Sequence, residues 1–124
     1  MEVITNIPKY NYKRGDKMTV FMVETFIVKP DKLGEFTAWM KKFETWVKKH
    51  EESYKEVKSG KAFSHMLGGN WGGYVHMMEF ENLADLEKFL NKLMKSDFMT
   101  TIYPEFASLI VAGSDSKNIW NSVP

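Results

Sequence analysis

The sequence predicts an α+β domain, a four-stranded antiparallel sheet with its helices on one face. Three observations predict it. Segments rich in β-branched and aromatic residues alternate with segments whose apolar residues recur every three or four positions. Their order is strand, helix, strand, strand, helix, strand. The 124 residues match about one domain, and 44% apolar residues are enough for a core.

Residues 1–17 are polar and irregular, broken by Pro8 and Gly15, and read as an extended N-terminal arm before a domain at 18–124. Thr19 to Val28 forms the first strand. Val20, Met22, Phe26 and Val28 fall on one face, and Phe21, Val23 and Ile27 on the other. Glu24 is its only charge. A strand with one wet face would alternate more cleanly, so this one is expected to be covered on both sides. Lys29-Pro30-Asp31 ends it and opens a helix, where a proline and an acid suit the first turn. That helix runs to about Glu52, with Leu33, Phe36, Met40, Phe43 and Val47 on its apolar face and Trp39 and Trp46 widening it. Ser53 to Gly60 reads as a polar connection, Lys61 to Leu67 as the second strand, and Gly68 to Gly73 as a hairpin turn. Tyr74 to Glu81 is the third strand.

Asn82 is a good N-cap, with Asp85 three residues on. Leu83, Leu86, Phe89, Leu90 and Leu93 give the second helix its apolar face. Lys95-Ser96-Asp97 interrupts it. A further helical stretch follows through Phe98, Ile102, Phe106, Leu109 and Ile110, kinked at Pro104 and ended by Gly113. The last strand is Lys117 to Val123. A rival placement at Ser108 to Ala112 fits the helical period less well. This order is the split βαβ, or ferredoxin-like, arrangement. It leaves no residues to cover the second face of the first strand, so a second copy of the chain is the expected cover.

Composition excludes several classes. Seventeen basic residues against sixteen acidic ones give a net charge of +1, not the basic footprint of a nucleic-acid binder. The absence of cysteine excludes disulfide scaffolds, thiolate metal sites and cysteine nucleophiles. No run approaches the roughly 18 apolar residues of a membrane-spanning helix. Met1 to Tyr10 lack the pattern of a signal peptide, so a cytoplasmic location is expected. Nine methionines and 15% aromatics fit a filled core with a subunit interface, or a pocket for a flat organic ligand.

The histidines are His50, His65 and His76. His50 ends the first helix, where a cation suits the dipole. If the hairpin is centred between Asn70 and Trp71, His65 and His76 pair across their strands and share a face with Phe63, Leu67, Tyr74, Met78 and Phe80. Glu24 lies on the neighbouring strand. Two histidines and a carboxylate can hold a non-heme Fe(II), or form an acid–base site without metal. The ordinary reading is a hydrogen-bonded pair in the core. Tyr103, beside the kink, is a proton donor or a structural residue. Trp71, among four glycines, is a lid or an anchor for the hairpin. The glycine cluster does not precede a helix, so it is not a phosphate loop.

Several stretches together resemble the dimeric α/β-barrel superfamily, which includes NIPSNAP-type proteins and antibiotic-biosynthesis monooxygenases. They are Val28-Lys29-Pro30-Asp31, Gly72-Gly73-Tyr74-Val75, Met78 through Ala84, Ser96-Asp97-Phe98, and Ala112-Gly113-Ser114 before a strand with Trp120. The resemblance implies a homodimer and a small aromatic or apolar ligand. It implies either a cofactor-free monooxygenase-like activity or a non-catalytic binding or stress-response role. The heme-degrading branch uses an Asn on the first strand and a Trp and a His further on. Here those places hold Val23 and Glu24, Phe89 and Tyr103. Heme degradation by that mechanism is therefore not expected. No cofactor or metal is expected. The candidate pocket is His65, His76, Glu24, Tyr103 and Trp71.

Overall fold

A computed structural model describes residues 19–65 and 71–123. The expected N-terminal arm and the tip of the glycine loop lie outside the described residues. Four antiparallel strands form one sheet in the order β2-β3-β1-β4. These are β1 (Val20–Ile27), β2 (Val57–Ser64), β3 (Gly73–Phe80) and β4 (Ser116–Asn121). The helices are α1 (Leu33–Lys49), α2 (Leu83–Lys95) and α3 (Tyr103–Leu109). The architecture is the ferredoxin-like one that the element order predicts.

β1 lies between β3 and β4. Its register pairs Val20 with Phe80, Met22 with Met78 and Phe26 with Tyr74. Side chains alternate along a strand, so these residues share one face. That face carries the core. Val20, Met78 and Phe80 pack with Leu86 and Phe89 of α2. Phe26 packs with Phe36, Trp39 and Trp46 of α1 and with Phe106 and Leu109 of α3. The opposite parity of β1, with Phe21, Val23 and Ile27, points away from the helices.

The caps follow their sequence signals. Asn82 Oδ1 accepts from the Asp85 N–H at 2.8 Å. His50 stacks on Trp46 and its Nδ1 lies 2.8 Å from the Trp46 carbonyl, so it closes the end of α1. Pro30 opens a single 3₁₀ turn ahead of α1. Pro104 has no N–H to donate, so the regular ladder cannot pass through it. The turn before it, Phe98–Ile102, is wound as π-helix, and the Tyr103 N–H reaches back five residues to the Phe98 carbonyl. Both tryptophans of α1 fasten this turn. Trp39 Nε1 donates to the Ile102 carbonyl at 3.0 Å, and Trp46 Nε1 donates to Asp97 Oδ1 at 2.9 Å.

Three expectations are corrected. β2 starts at Val57, inside the segment expected to be a polar connection, and ends at Ser64. It is an edge strand whose residues are mostly exposed, so it lacks an alternating apolar signal. Gly113 does not end the helix. α3 stops at Leu109, Ile110 is extended and bridges Val28, and Gly113 takes φ +80° in the turn before β4. The hairpin register also differs from expectation. Ser64 pairs with Tyr74 and Ala62 with His76, so the centre falls earlier than Asn70-Trp71.

Gly72 holds this hairpin against β1. Its φ is +81°, its carbonyl accepts from the Val28 N–H at 2.9 Å, and an added Cβ would lie 3.0 Å from the Val28 oxygen. Only glycine suits both the dihedral and the approach. Gly72→Ala is expected to destabilise the fold by about 1–3 kcal/mol, read from denaturant midpoints. An unchanged midpoint would show that this contact is dispensable.

Candidate functional site

The corrected register decides which candidates meet. Alternation from the Ala62–His76 pair puts His76 on the helix face and His65 on the other. His65 is exposed, and its N–H bonds the Gly73 carbonyl at 2.9 Å. The expected His65–His76 pair therefore does not form, because the true register differs from the assumed one by an odd step. With it goes the set of two histidines and Glu24 around one metal. Among the described residues no group of three His, Asp or Glu is placed to hold a metal ion. Trp71 is 70% exposed at the hairpin and is not one of the residues that line the cavity.

Glu24, His76 and Tyr103 do come together. Glu24 pairs directly with His76 on β3 and with Lys117 on β4. A single row thus crosses the sheet on the helix side: Ala62, His76, Glu24, Lys117. The rows on either side, through Met22 with Met78 and through Phe26 with Tyr74, are apolar or aromatic. This row faces a cavity of about 400 Å³ between the sheet and the helices. Phe36, Trp39 and Phe43 of α1, Leu90 and Leu93 of α2, and Phe98 and Met99 of the π turn supply much of its apolar wall. The π turn thus brings Phe98, Met99 and Tyr103 to the same space.

Lys117 Nζ lies 3.2 Å from Glu24 Oε2 and 3.0 Å from Asp115 Oδ2. It also lies 5.9 Å from the centre of the Tyr103 ring, within cation–π range. One lysine thus serves two carboxylates. Burial pushes the Glu24 carboxyl up to about 7, helped by a hydrogen bond to Asp115 and opposed by Lys117. Asp115 Oδ1 is buried without a fixed hydrogen-bond donor. The carboxyl proton of Glu24 is the donor at hand. Lys117 is held above its ordinary range because its two carboxylate partners outweigh its burial. Burial lowers the His76 pKa, which keeps the imidazole neutral near pH 7. The site therefore offers a neutral base, an acid that titrates near neutrality and a fixed cation, all on an apolar wall.

Sequence reasoning missed Lys117 and Asp115. Lys117 sits at the start of β4 and Asp115 just before it, and the β1–β4 pairing brings them to Glu24.

Neither a family model nor a curated protein matches this sequence. Solved structures do. A NIPSNAP family protein of unknown function from Agrobacterium tumefaciens superposes with a TM-score of 0.64 at 16% identity, over 89% of this chain and 92% of that one. An antibiotic biosynthesis monooxygenase superposes at 0.60 with 13% identity, over 85% and 99%. The chain has their fold. A conserved protein from Methanosarcina mazei is similar at 0.62, with 16% identity over 85% of this chain and 93% of that one. At these identities the likeness carries the ferredoxin-like architecture, not an activity. Among the described residues no helix is long and apolar enough to cross a membrane.

Glu24 yields a signed pH dependence. Its folded pKa of about 7 stands above the 4.5 of an ordinary glutamate. Between these values the unfolded chain releases the proton and the folded chain keeps it. Stability from the protonated form is thus full below about 4.5 and is lost as pH rises through about 7. The loss is expected to be on the order of 1–3 kcal/mol. Glu24→Gln, always neutral, should lack it. Denaturant midpoints of both proteins from pH 4.5 to 8 test this, and parallel curves would refute it.

Proposed function

We propose that this chain binds a small, largely apolar or aromatic molecule in the cavity and acts on it as a cofactor-free, monooxygenase-like enzyme. The supporting observation is the polar row of His76, Glu24 and Lys117 at the base of an otherwise apolar space. Such a space excludes water, which strengthens every charge interaction inside it. A substrate with a phenol-like hydroxyl is matched to this row. Neutral His76 or ionised Glu24 takes the hydroxyl proton. Lys117 stabilises the anion left behind. Tyr103 borders the same space and offers a hydroxyl for orientation. The electron-rich anion is the form that reacts with dioxygen: one oxygen atom becomes a quinone carbonyl at a free ring position, the other leaves as water, and the substrate supplies all four electrons. Several neighbours of the same fold are named as antibiotic biosynthesis monooxygenases, which supports this reading.

One observation favours a second reading. Lys117 already pairs with Glu24 at 3.2 Å, so the carboxylate is partly satisfied before any ligand enters. A protein that only holds its ligand, in a binding or stress-response role, needs no more than this.

We further propose that the working unit is a homodimer in which the open faces of the two sheets meet. Phe63 and Trp120 lie on that face at 50% and 51% exposure, beside Phe21, Val75 and Met77. Covering such a surface by a second copy would bury on the order of 1,200–2,000 Å² in total. Sedimentation at micromolar concentration should give twice the mass of one chain. Trp120→Glu should give a single-chain mass. A monomeric wild-type protein would remove this assignment.

The activity itself is tested with phenols and quinones, by thermal shift and by oxygen uptake. Binding with turnover supports the enzyme. Binding without turnover supports the holder. His76→Ala is expected to slow turnover at least about tenfold while leaving the dimer intact. Full turnover in that variant would exclude His76 as the base.

A further inference from the structure

A second hollow, of about 550 Å³, adjoins the cavity between α1 and β2. The two share Met40, Phe43, Tyr54, Ala62, His76 and Met78. His76 therefore borders both. The second hollow continues over Val47, Val57 and Gly60, and Glu44, Ser59 and Lys61 also border it.

The space exists because β2 presents almost nothing to the helices. On that face the paired positions of β3 carry Met78 and His76, whereas β2 carries Gly60 and Ala62. A Cβ built on Gly60 meets a single neighbour, Met78 Cγ, at 3.9 Å. The Gly60 backbone also has no left-handed φ, so its conformation does not demand glycine. The missing side chain instead leaves room above the strand. The hollow extends from Ala62 to Val57, on the order of 15 Å along an extended strand. It is mostly apolar. A single ring at the polar row would leave the second hollow empty.

Resting on the reading of the main cavity given above, we propose that the two hollows form one elongated site for an amphiphile. A ring bearing the hydroxyl sits at the Glu24–His76 row. An unbranched apolar tail runs over Gly60 between α1 and β2 towards Val57. Gly60 is the residue that sets the permitted tail length. The methionines shared by the two hollows, Met40 and Met78, are unbranched and adapt to a flexible chain.

The test is isothermal titration of the full-length protein with para-alkylphenols, from methyl to nonyl. Each added methylene buried in the second hollow is expected to tighten binding about three- to fourfold. Gly60→Leu places a side chain in the second hollow alone. It should abolish the gain from the longer tails and leave the affinity for 4-methylphenol within about twofold. Gly60→Val, better suited to a strand, gives the same comparison should the leucine variant fail to fold. A wild-type protein that binds 4-methylphenol but gains nothing from longer tails overturns the elongated site and leaves the main cavity standing. So does a chain-length gain that survives in the folded Gly60 variants. If no member of the series binds, the phenol reading of the main cavity falls, and this proposal with it.

Discussion

The alternation of β1 places Glu24 beneath the helices, and β1 lies between β3 and β4. That single parity selects every other member of the polar row. It brings His76 to one side of Glu24 and Lys117 to the other. It also sends Phe21 and Val23 to the opposite face. A shift of one residue in β1 would bury Val23 and Thr25 under the helices and put the carboxylate on the open side of the sheet. Val20 and Phe26 oppose such a shift, because both are anchored in the core through that same parity. The apolar contacts of β1 thus hold a charged residue where it would not go by itself.

An ionised carboxylate on an apolar wall is costly unless it is paired. The arrangement answers this in two ways. Lys117 supplies an opposite charge, and the pKa of Glu24 rises so that the proton is kept over most of the acid range. Asp115 prevents Lys117 from settling the matter alone, since the lysine is shared. The result is a group able to gain or lose a proton near neutral pH. The same wall leaves His76 neutral for a simpler reason, burial without an opposite charge.

Much of the fold was legible in the sequence because its signals are local. The Asn82 cap, the apolar stripes of α1 and α2, and the proline at the third helix are all set by residues within a few positions of one another. Glu24 stood out for a similar reason, as the one charge in an apolar strand. What depended on register was not legible. The glycine-rich loop invites a turn centred near its middle, and that choice put His65 on the wrong face. β2 gave little to correct it, since an edge strand with Gly60 and Ala62 on its inner face has no apolar alternation. Lys117 carries no such local signal. Its partner lies on a strand at the far end of the sequence, and no short-range pattern joins the two.

That separation also sets when the site can exist. The Thr19 N–H bonds the hydroxyl of Ser122 across 103 positions, beside the strand pair that carries Glu24 and Lys117. Closing so long a loop is paid in chain entropy before any contact repays it, and such pairings limit the speed of folding. A growing chain makes β1, α1 and the β2–β3 hairpin before β4 has been synthesised. Until β4 docks, Glu24 has neither its cation nor its carboxylate neighbour, and the β1 edge stays open. The chemistry of the cavity is therefore completed by the last strand, so a chain that stops before Asp115 would keep most of the core residues but not the site.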